Sequence, residues 1–317
     1  IQQPYAFPQE PDKDILGAVY GTPMVTDSFL YVADFNGRIY SLDRHSLEIV
    51  GSFEIEGDEL SKGIANSMAI SGNRVVLGSS EDSETGRIYV LDSQNIGDEI
   101  CRFPSSGEPP IGKIWGAPHI ANNIAYFGSL DHNLYAISIE DCSSLWNTPV
   151  HLGGALASTP IIIENTLFIG SFDRHLYSVN ITTGESTRLF KAGSWFWSGL
   201  ATDGTRLYVP NMDGKLYAVD VDTNRQLWAF DTGGPILSTP VIIDGTVVVA
   251  SDSRKLYLLN SQDGSQIWNI DVKVKVRAPL MAQGSTVYIS SDDNDKAVIA
   301  VDIDKKRTWT IWPKSND

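Results

Sequence analysis

A repeat of about forty residues runs through the chain and constrains its fold more than any other feature. The stretch STPVIIDGTVVVASDSRKLYLLNSQDGSQIWNIDV from Ser238 matches STPIIIENTLFIGSFDRHLYSVNITTGESTRLF from Ser158 in the order of its apolar runs and turn residues. One position of the third apolar run recurs in every copy: Tyr40, Tyr89, Tyr135, Tyr177, Tyr217, Tyr257 and Ile299. These positions are 40 to 49 residues apart, so seven copies cover the chain from about residue 15 to residue 313.

Each copy contains four strand signals, which in the sixth are Thr239–Ile243, Thr246–Ala250, Leu256–Leu259 and Gln266–Asp271. Asp244-Gly245 favours a two-residue hairpin, and the continuous β-branched run after it indicates a strand covered on both faces. Four antiparallel strands per repeat are typical of a β-propeller blade. We therefore predict an all-β chain in which residues 1–317 form one seven-bladed β-propeller. The predicted blades are residues 15–55, 62–105, 113–150, 155–191, 195–232, 235–272 and 274–313.

The repeat resembles the pyrroloquinoline-quinone (PQQ)-like repeat, which joins a Leu-Tyr strand to a later tryptophan. The clearest copies are GKLYAVDVDTNRQLW, RKLYLLNSQDGSQIW and NLYAISIEDCSSLW. In this family the fourth-strand tryptophan docks against the neighbouring blade, a role that the resemblance gives to Trp146, Trp228, Trp268 and Trp309. Blades 1, 2 and 4 have Gly51, Cys101 and Arg188 at that position, and we expect them to pack differently.

The resemblance implies more than one function, because propellers of this type include enzymes, assembly scaffolds and sensors. In repeat type the chain is similar to the propeller lipoprotein of the outer-membrane β-barrel assembly machinery, although that protein has eight blades. This implies a non-catalytic extracytoplasmic scaffold for a protein partner, or a ligand-sensing domain. The alternative is a PQQ-dependent dehydrogenase that acts on an alcohol or sugar.

The residues do not favour the enzyme. Quinone-dependent members hold PQQ over calcium and commonly join adjacent cysteines, whereas the two cysteines here are far apart, and no Asp-x-Asp-x-Asp-Gly loop is present. GxSxG, HExxH and phosphate-binding glycine loops are also missing. His132 and His175 occupy similar turns of adjacent blades, but solvated turn residues explain them better than a metal does. We predict no catalytic residues, no cofactor and no metal site.

Charge and hydropathy exclude two classes of partner. The chain carries 24 Lys+Arg against 39 Asp+Glu, a formal net charge of −15, which argues against nucleic acid. No stretch approaches the roughly 20 apolar residues that cross a bilayer.

The opening residues IQQPYAF lack a signal sequence, so we expect a mature or trimmed chain whose signal or membrane anchor lay upstream.

A candidate binding rim emerges when the segments that lead into each blade's first strand are aligned. One column contains Tyr20, Ala65, Trp115, Ala157, Trp197, Leu237 and Val276, and the next contains Gly21, Asn66, Gly116, Ser158, Ser198, Ser238 and Arg277. Strand-like alternation in residues 272–279 places three cations on one face. Small residues are expected near the propeller axis, but several of these positions hold tryptophan, lysine or arginine. We therefore predict a binding site on this rim for a protein partner or for an anionic or aromatic ligand. Its residues are Lys62, Asn66, Lys113, Trp115, Trp195, Trp197, Lys273, Lys275 and Arg277.

The two cysteines are about one repeat apart. Cys101 lies at the docking position of blade 2, and Cys142 lies in the turn before the fourth strand of blade 3. Neighbouring blades would bring them together in a disulfide, and the alternative is one buried and one exposed thiol. The bond would add a few kcal/mol of stability in an oxidising compartment. The resemblance implies such a compartment, the periplasm or the cell exterior.

Overall fold

The computed structural model describes residues 19, 21–58, 62–65, 67–291 and 298–311, and within these ranges all strands and sheets follow the predicted all-β pattern. Seven four-stranded antiparallel sheets succeed one another along the chain, which confirms the seven-bladed propeller. No helix in the described ranges is long and apolar enough to cross a membrane.

The strands of the first three blades include one additional short pair. Blade 1 contains β1 (Met24–Val25), β2 (Phe29–Ala33), β3 (Arg38–Asp43) and β4 (Ile49–Glu54). Blade 2 contains β5 (Ala69–Ser71), β6 (Arg74–Gly78), β8 (Ile88–Asp92) and β9 (Glu99–Phe103), and the additional pair is β7 (Thr85–Gly86) with β10 (Ile111–Gly112). Blade 3 contains β11 (His119–Ala121), β12 (Ile124–Gly128), β13 (Asn133–Ser138) and β14 (Val150–His151).

The last four blades are more regular. Blade 4 contains β15 (Ile161–Ile163), β16 (Thr166–Gly170), β17 (His175–Asn180) and β18 (Ser186–Lys191). Blade 5 contains β19 (Ala201–Thr202), β20 (Arg206–Pro210), β21 (Lys215–Asp220) and β22 (Gln226–Asp231). Blade 6 contains β23 (Val241–Ile243), β24 (Thr246–Ala250), β25 (Lys255–Asn260) and β26 (Gln266–Asp271). Blade 7 contains β27 (Met281–Gln283), β28 (Thr286–Ser290), β29 (Val298–Asp302) and β30 (Arg307–Thr310).

Tight hairpins set the register of the inner strands. Ile243 pairs with Thr246, so Asp244 and Gly245 form a two-residue loop with φ of 46° and 76°. Positive φ at both positions is what a type I′ turn requires, and aspartate, asparagine and glycine tolerate it best. The Asp-Gly dipeptide therefore produces the hairpin that the sequence predicts.

Side chains of each second strand alternate between two inter-blade cores. In β24, Val247 and Val249 pack towards blade 5, whereas Val248 and Ala250 pack towards blade 7, and all four are fully buried. Both faces of the sheet are thus covered, which explains why this strand is a continuous apolar run.

Among the described residues, six such cores join successive blades from blade 1 to blade 7, and a smaller cluster lies on the other face of blade 1. That cluster contains Val32, Tyr40 and Leu42, with Leu30 against it. In blade 7, which is the last blade along the chain, every residue of the first strand β27 and the fourth strand β30 is exposed. The described part of the chain therefore packs more sparsely between blades 7 and 1 than between the other blades.

In blades 3 and 5 the fourth-strand tryptophan docks against the next blade, as the resemblance implies. The indole Nε1 of Trp146 donates to the carbonyl of Ile181 at 3.1 Å, and that of Trp228 donates to Ser261 at 3.3 Å, both in the next blade. Blade 4, which has Arg188 where blades 3, 5, 6 and 7 have tryptophan, packs differently as expected: an irregularity in the β17–β18 pairing shifts the register and places Arg188 opposite Tyr177 of the same blade. The arginine side chain consequently interacts with that tyrosine.

Candidate functional site

Two sets of connections meet on one rim of the propeller. We call the chain between the fourth strand of one blade and the first strand of the next an inter-blade segment. In blades 3 to 6, the turn after the second strand donates a backbone hydrogen bond of 2.9 to 3.1 Å to the inter-blade segment that precedes the blade. The donor and acceptor residues are Leu130 and Lys113, Phe172 and Ala155, Met212 and Trp195, and Asp252 and Pro235. These backbone hydrogen bonds place the turns and the predicted rim at the same end of the molecule.

Four aromatic side chains form a continuous surface on this rim, which we call the aromatic cluster: Trp115, Phe172, Trp195 and Trp197. The Trp115 and Trp197 rings lie 5.5 Å apart between centroids at 46°. Phe172 stacks on Trp195 at 5.0 Å and on Trp197 at 5.7 Å, with interplanar angles of 12° and 16°. These offset and tilted geometries are the ones aromatic pairs prefer.

The base of the aromatic cluster is anchored while its outer surface faces solvent. Phe196 is fully buried in the core between blades 4 and 5, whereas Trp195 and Trp197, on either side of it, are 47% and 37% exposed. Large exposed indoles on a packed base are unusual for a protein surface, and such patches mark interaction sites.

The predicted alignment of the rim was off by one residue at blade 7. It placed Val276 with Trp197, but Val276 is fully buried, as are Phe196 and Ile236. Arg277 instead shares the position of Trp197, because both lie directly after the buried residue of the segment. The physical reason is that each inter-blade segment is positioned by the one side chain that it buries in the core, so residues are equivalent when they lie at the same distance from that buried residue.

One predicted rim cation does not belong to the surface. The Lys62 side chain is only 6% exposed, and its Nζ lies 2.6 Å from Glu54 Oε1 at the end of β4. This hydrogen bond lowers the pKa of Glu54. Lys62 is therefore part of the contact between blades 1 and 2, and its assignment to a binding rim is corrected. Asn66 lies outside the described residues.

The basic segment that leads into blade 7 has the predicted alternation, with its valines buried and its cations exposed. Lys275 Nζ and Arg277 Nη2 lie 3.7 and 3.9 Å from Asp252 Oδ2, and Lys273 Nζ lies 2.6 Å from Asp271. These cations thus face carboxylates, and they lie two blades beyond the segment of Trp197.

Lys113 lies on the segment of Trp115 and acts on an acidic turn of blade 2. Hydrogen bonds from the Thr85 hydroxyl and the Glu84 amide lower the pKa of Asp82, and the charge of Lys113 adds to the effect. The structure therefore brings the three predicted indoles together and adds Phe172, whereas the cations lie near carboxylates elsewhere.

Phe172 was missed because the sequence alignment covered only the inter-blade segments. A column of turn residues would have found it, since Phe35, Leu130, Phe172 and Met212 are apolar at a position where a solvated turn favours polar residues.

The sulfur atoms of Cys101 and Cys142 form a disulfide that joins blades 2 and 3, with 5.8 Å between the Cα atoms. Cys101 pairs with Val90 across the outer hairpin of blade 2, and Cys142 is buried in the core between the two blades. The bond therefore links two blades through their shared core.

Within the described residues, no group of three or more His, Cys, Asp or Glu side chains is placed to hold a metal ion. The two cysteines are joined across blades rather than as neighbours in sequence. The prediction that the protein has no cofactor stays a prediction.

The repeated four-stranded sheets and their tryptophan docking define a PQQ-like repeat propeller. The chain belongs to the family described as outer membrane protein assembly factor BamB, whose sequence profile matches residues 12–188, 188–251 and 239–315. No curated protein is similar enough in sequence to be matched.

Two solved structures are similar in fold. BamB from Moraxella catarrhalis has a TM-score of 0.72 and 18% sequence identity, with 95% of this chain and 84% of that chain covered. The computationally designed Ika8 protein has a TM-score of 0.70 and 17% identity, with 92% and 83% covered. At these identities the similarity shows the fold alone.

Proposed function

We propose that the protein is a non-catalytic, extracytoplasmic scaffold that holds a protein partner against the aromatic cluster. The observation that carries this proposal is the exposure of Trp195 and Trp197 at 47% and 37% beside the fully buried Phe196. A partner would cover indole surface that is already held in place, so little side-chain entropy is lost on binding. Tryptophan is also among the residues that contribute most to binding energy.

The family supports a partner of one kind. Its members are described as outer membrane protein assembly factors, so the proposed partner is a protein that takes part in assembling outer-membrane proteins. The disulfide between blades 2 and 3 supports an extracytoplasmic location, because such bonds persist in oxidising compartments.

Site-specific photo-crosslinking tests the proposal. A photoreactive phenylalanine derivative is placed at Trp197, and at Trp309 as a matched control, because Trp309 is an indole that is 44% exposed on the outer strand of blade 7. Adducts formed in cell envelopes of the source organism are identified by mass spectrometry. An outer-membrane assembly protein attached at position 197 and missing at position 309 supports the proposal. Identical adducts at both positions, or none at position 197, would contradict it.

A further inference from the structure

A polar groove lies where blades 3 and 4 meet, and none of the four residues of the aromatic cluster lines it. It consists of two hollows of about 350 and 530 Å³ that both include His151 in their walls. Their volumes fall in the range of about 300–1,000 Å³ that is usual for small-molecule sites. The smaller hollow is lined by His151, Leu152, Gly153, Tyr177, Ser186 and Arg188.

Arg188 is held in a fixed orientation at this hollow. Its Nε donates to Tyr177 Oη at 3.0 Å, and its guanidinium carbon lies 5.8 Å from the centre of the tyrosine ring. Tyr177 in turn donates to Asp173 at 2.5 Å and accepts from the Gly153 amide at 3.0 Å. Within the described residues, neither terminal nitrogen of Arg188 makes a hydrogen bond, and the side chain is 60% exposed. The forked end of a preoriented guanidinium is therefore available to a ligand.

His151 supplies a second polar group. Its Nδ1 lies 3.0 Å from Asn133 Oδ1, and its ring stacks on His132 at 6.1 Å. Because an amide oxygen only accepts, the hydrogen lies on Nδ1, and Nε2 is left for a ligand. The Ser186 hydroxyl on β18 adds a third polar group to the same hollow.

One carboxylate, that of Asp173, lies beside the guanidinium of Arg188. Asp173 Oδ2 lies 3.9 Å from Arg188 Nη2 and 3.1 Å from His175 Nδ1, but its side chain is only 15% exposed and it already accepts from Tyr177. The net charge of −15 repels anions from the surface in general. Anion binding here would consequently depend on the local cations.

We propose that this groove binds a small hydroxylated ligand that carries an oxyanion, with the anion on the guanidinium fork of Arg188. The larger hollow continues past His151 between Asn147, Thr148, Thr182 and Thr183. These amide and hydroxyl groups suit the hydroxyls of a ligand whose carboxylate or phosphate lies at Arg188.

The test uses glucuronate and glucose 6-phosphate as probes, with glucose as the neutral control, and follows the imidazole proton signals of His151 by NMR. Saturable shifts with one or both acids, at least tenfold weaker with glucose, support the site, and the acid that binds identifies the anion. We expect Arg188→Gln to weaken binding at least tenfold and Arg188→Lys to weaken it less, because lysine keeps the charge without the fork. The matched control is Arg225→Gln, an exposed arginine in blade 5, which we expect to leave binding unchanged.

Three results would overturn the proposal: no saturable shift with either acid, equal binding of glucose, or equal losses in Arg188→Gln and Arg225→Gln. Thermal unfolding of each variant shows whether it is folded. If Arg188→Gln does not fold, Arg188→Lys carries the comparison alone.

Discussion

Trp115 and Trp197 contact each other across the rim although their segments lead into blades 3 and 5. Ala157 occupies the same position in the segment between them and is 5% exposed. Because alanine is small, the two indoles meet above it with 5.5 Å between their ring centroids. This contact joins segments that are not adjacent in the ring.

A double-mutant cycle tests that contact. Trp115→Ala and Trp197→Ala should show a coupling of about 0.5–1.5 kcal/mol in the free energy of unfolding, the usual value for an aromatic pair. Urea unfolding of both single variants and the double variant measures it. Trp115→Ala combined with Trp309→Ala is the control and should be additive within about 0.5 kcal/mol. Additivity in both pairs would refute the contact.

The disulfide should contribute strongly to stability. It closes a loop with a sequence separation of 41 residues, for which chain entropy gives about 4 kcal/mol. We expect the Cys101→Ser, Cys142→Ser double variant to lose about that much free energy of unfolding in urea. Alkylation of the native, unreduced protein should modify neither cysteine, and modification of both would contradict the bond.

Stability should fall in acid through Asp203. Burial acts to raise the pKa of Asp203, but hydrogen bonds from Tyr208 and from the Thr205 and Arg206 amides outweigh it and lower the pKa to about 2. Because the folded pKa lies below the unfolded value of about 4, the stabilisation is present above pH 4 and is lost towards pH 2. Asp203→Asn should therefore cost about 1 kcal/mol at pH 7, allowing for solvent screening. In urea unfolding the difference should shrink below pH 4, and a difference that is independent of pH would contradict this account.

The alternative of a quinone enzyme has a direct test. A thermal-unfolding scan with pyrroloquinoline quinone and calcium should match the scan without them. Ligand at about 100 times its dissociation constant would instead add roughly 2.7 kcal/mol and raise the midpoint by several degrees. A shift of that size would favour the dehydrogenase.

The repeat made the fold predictable from sequence, because one position of the third strand recurs in all seven copies and short turns such as Asp244-Gly245 separate the strands. The repeat also predicted that Trp115 and Trp197 lie on the same rim, because equivalent positions of successive repeats lie at the same end of the propeller. Lys62 could not be placed in this way, because its partner Glu54 belongs to the preceding blade. Arg277 was misplaced by one residue because its position depends on the burial of Val276, which sequence spacing does not show.

The most direct test of the central claim is the affinity of the partner attached at position 197 for the wild type, Trp197→Ala and Trp309→Ala. Removal of a central indole typically costs 2 kcal/mol or more, so we predict that Trp197→Ala binds about thirtyfold more weakly while Trp309→Ala binds like the wild type. Equal affinities for all three proteins would contradict the aromatic cluster as the binding surface.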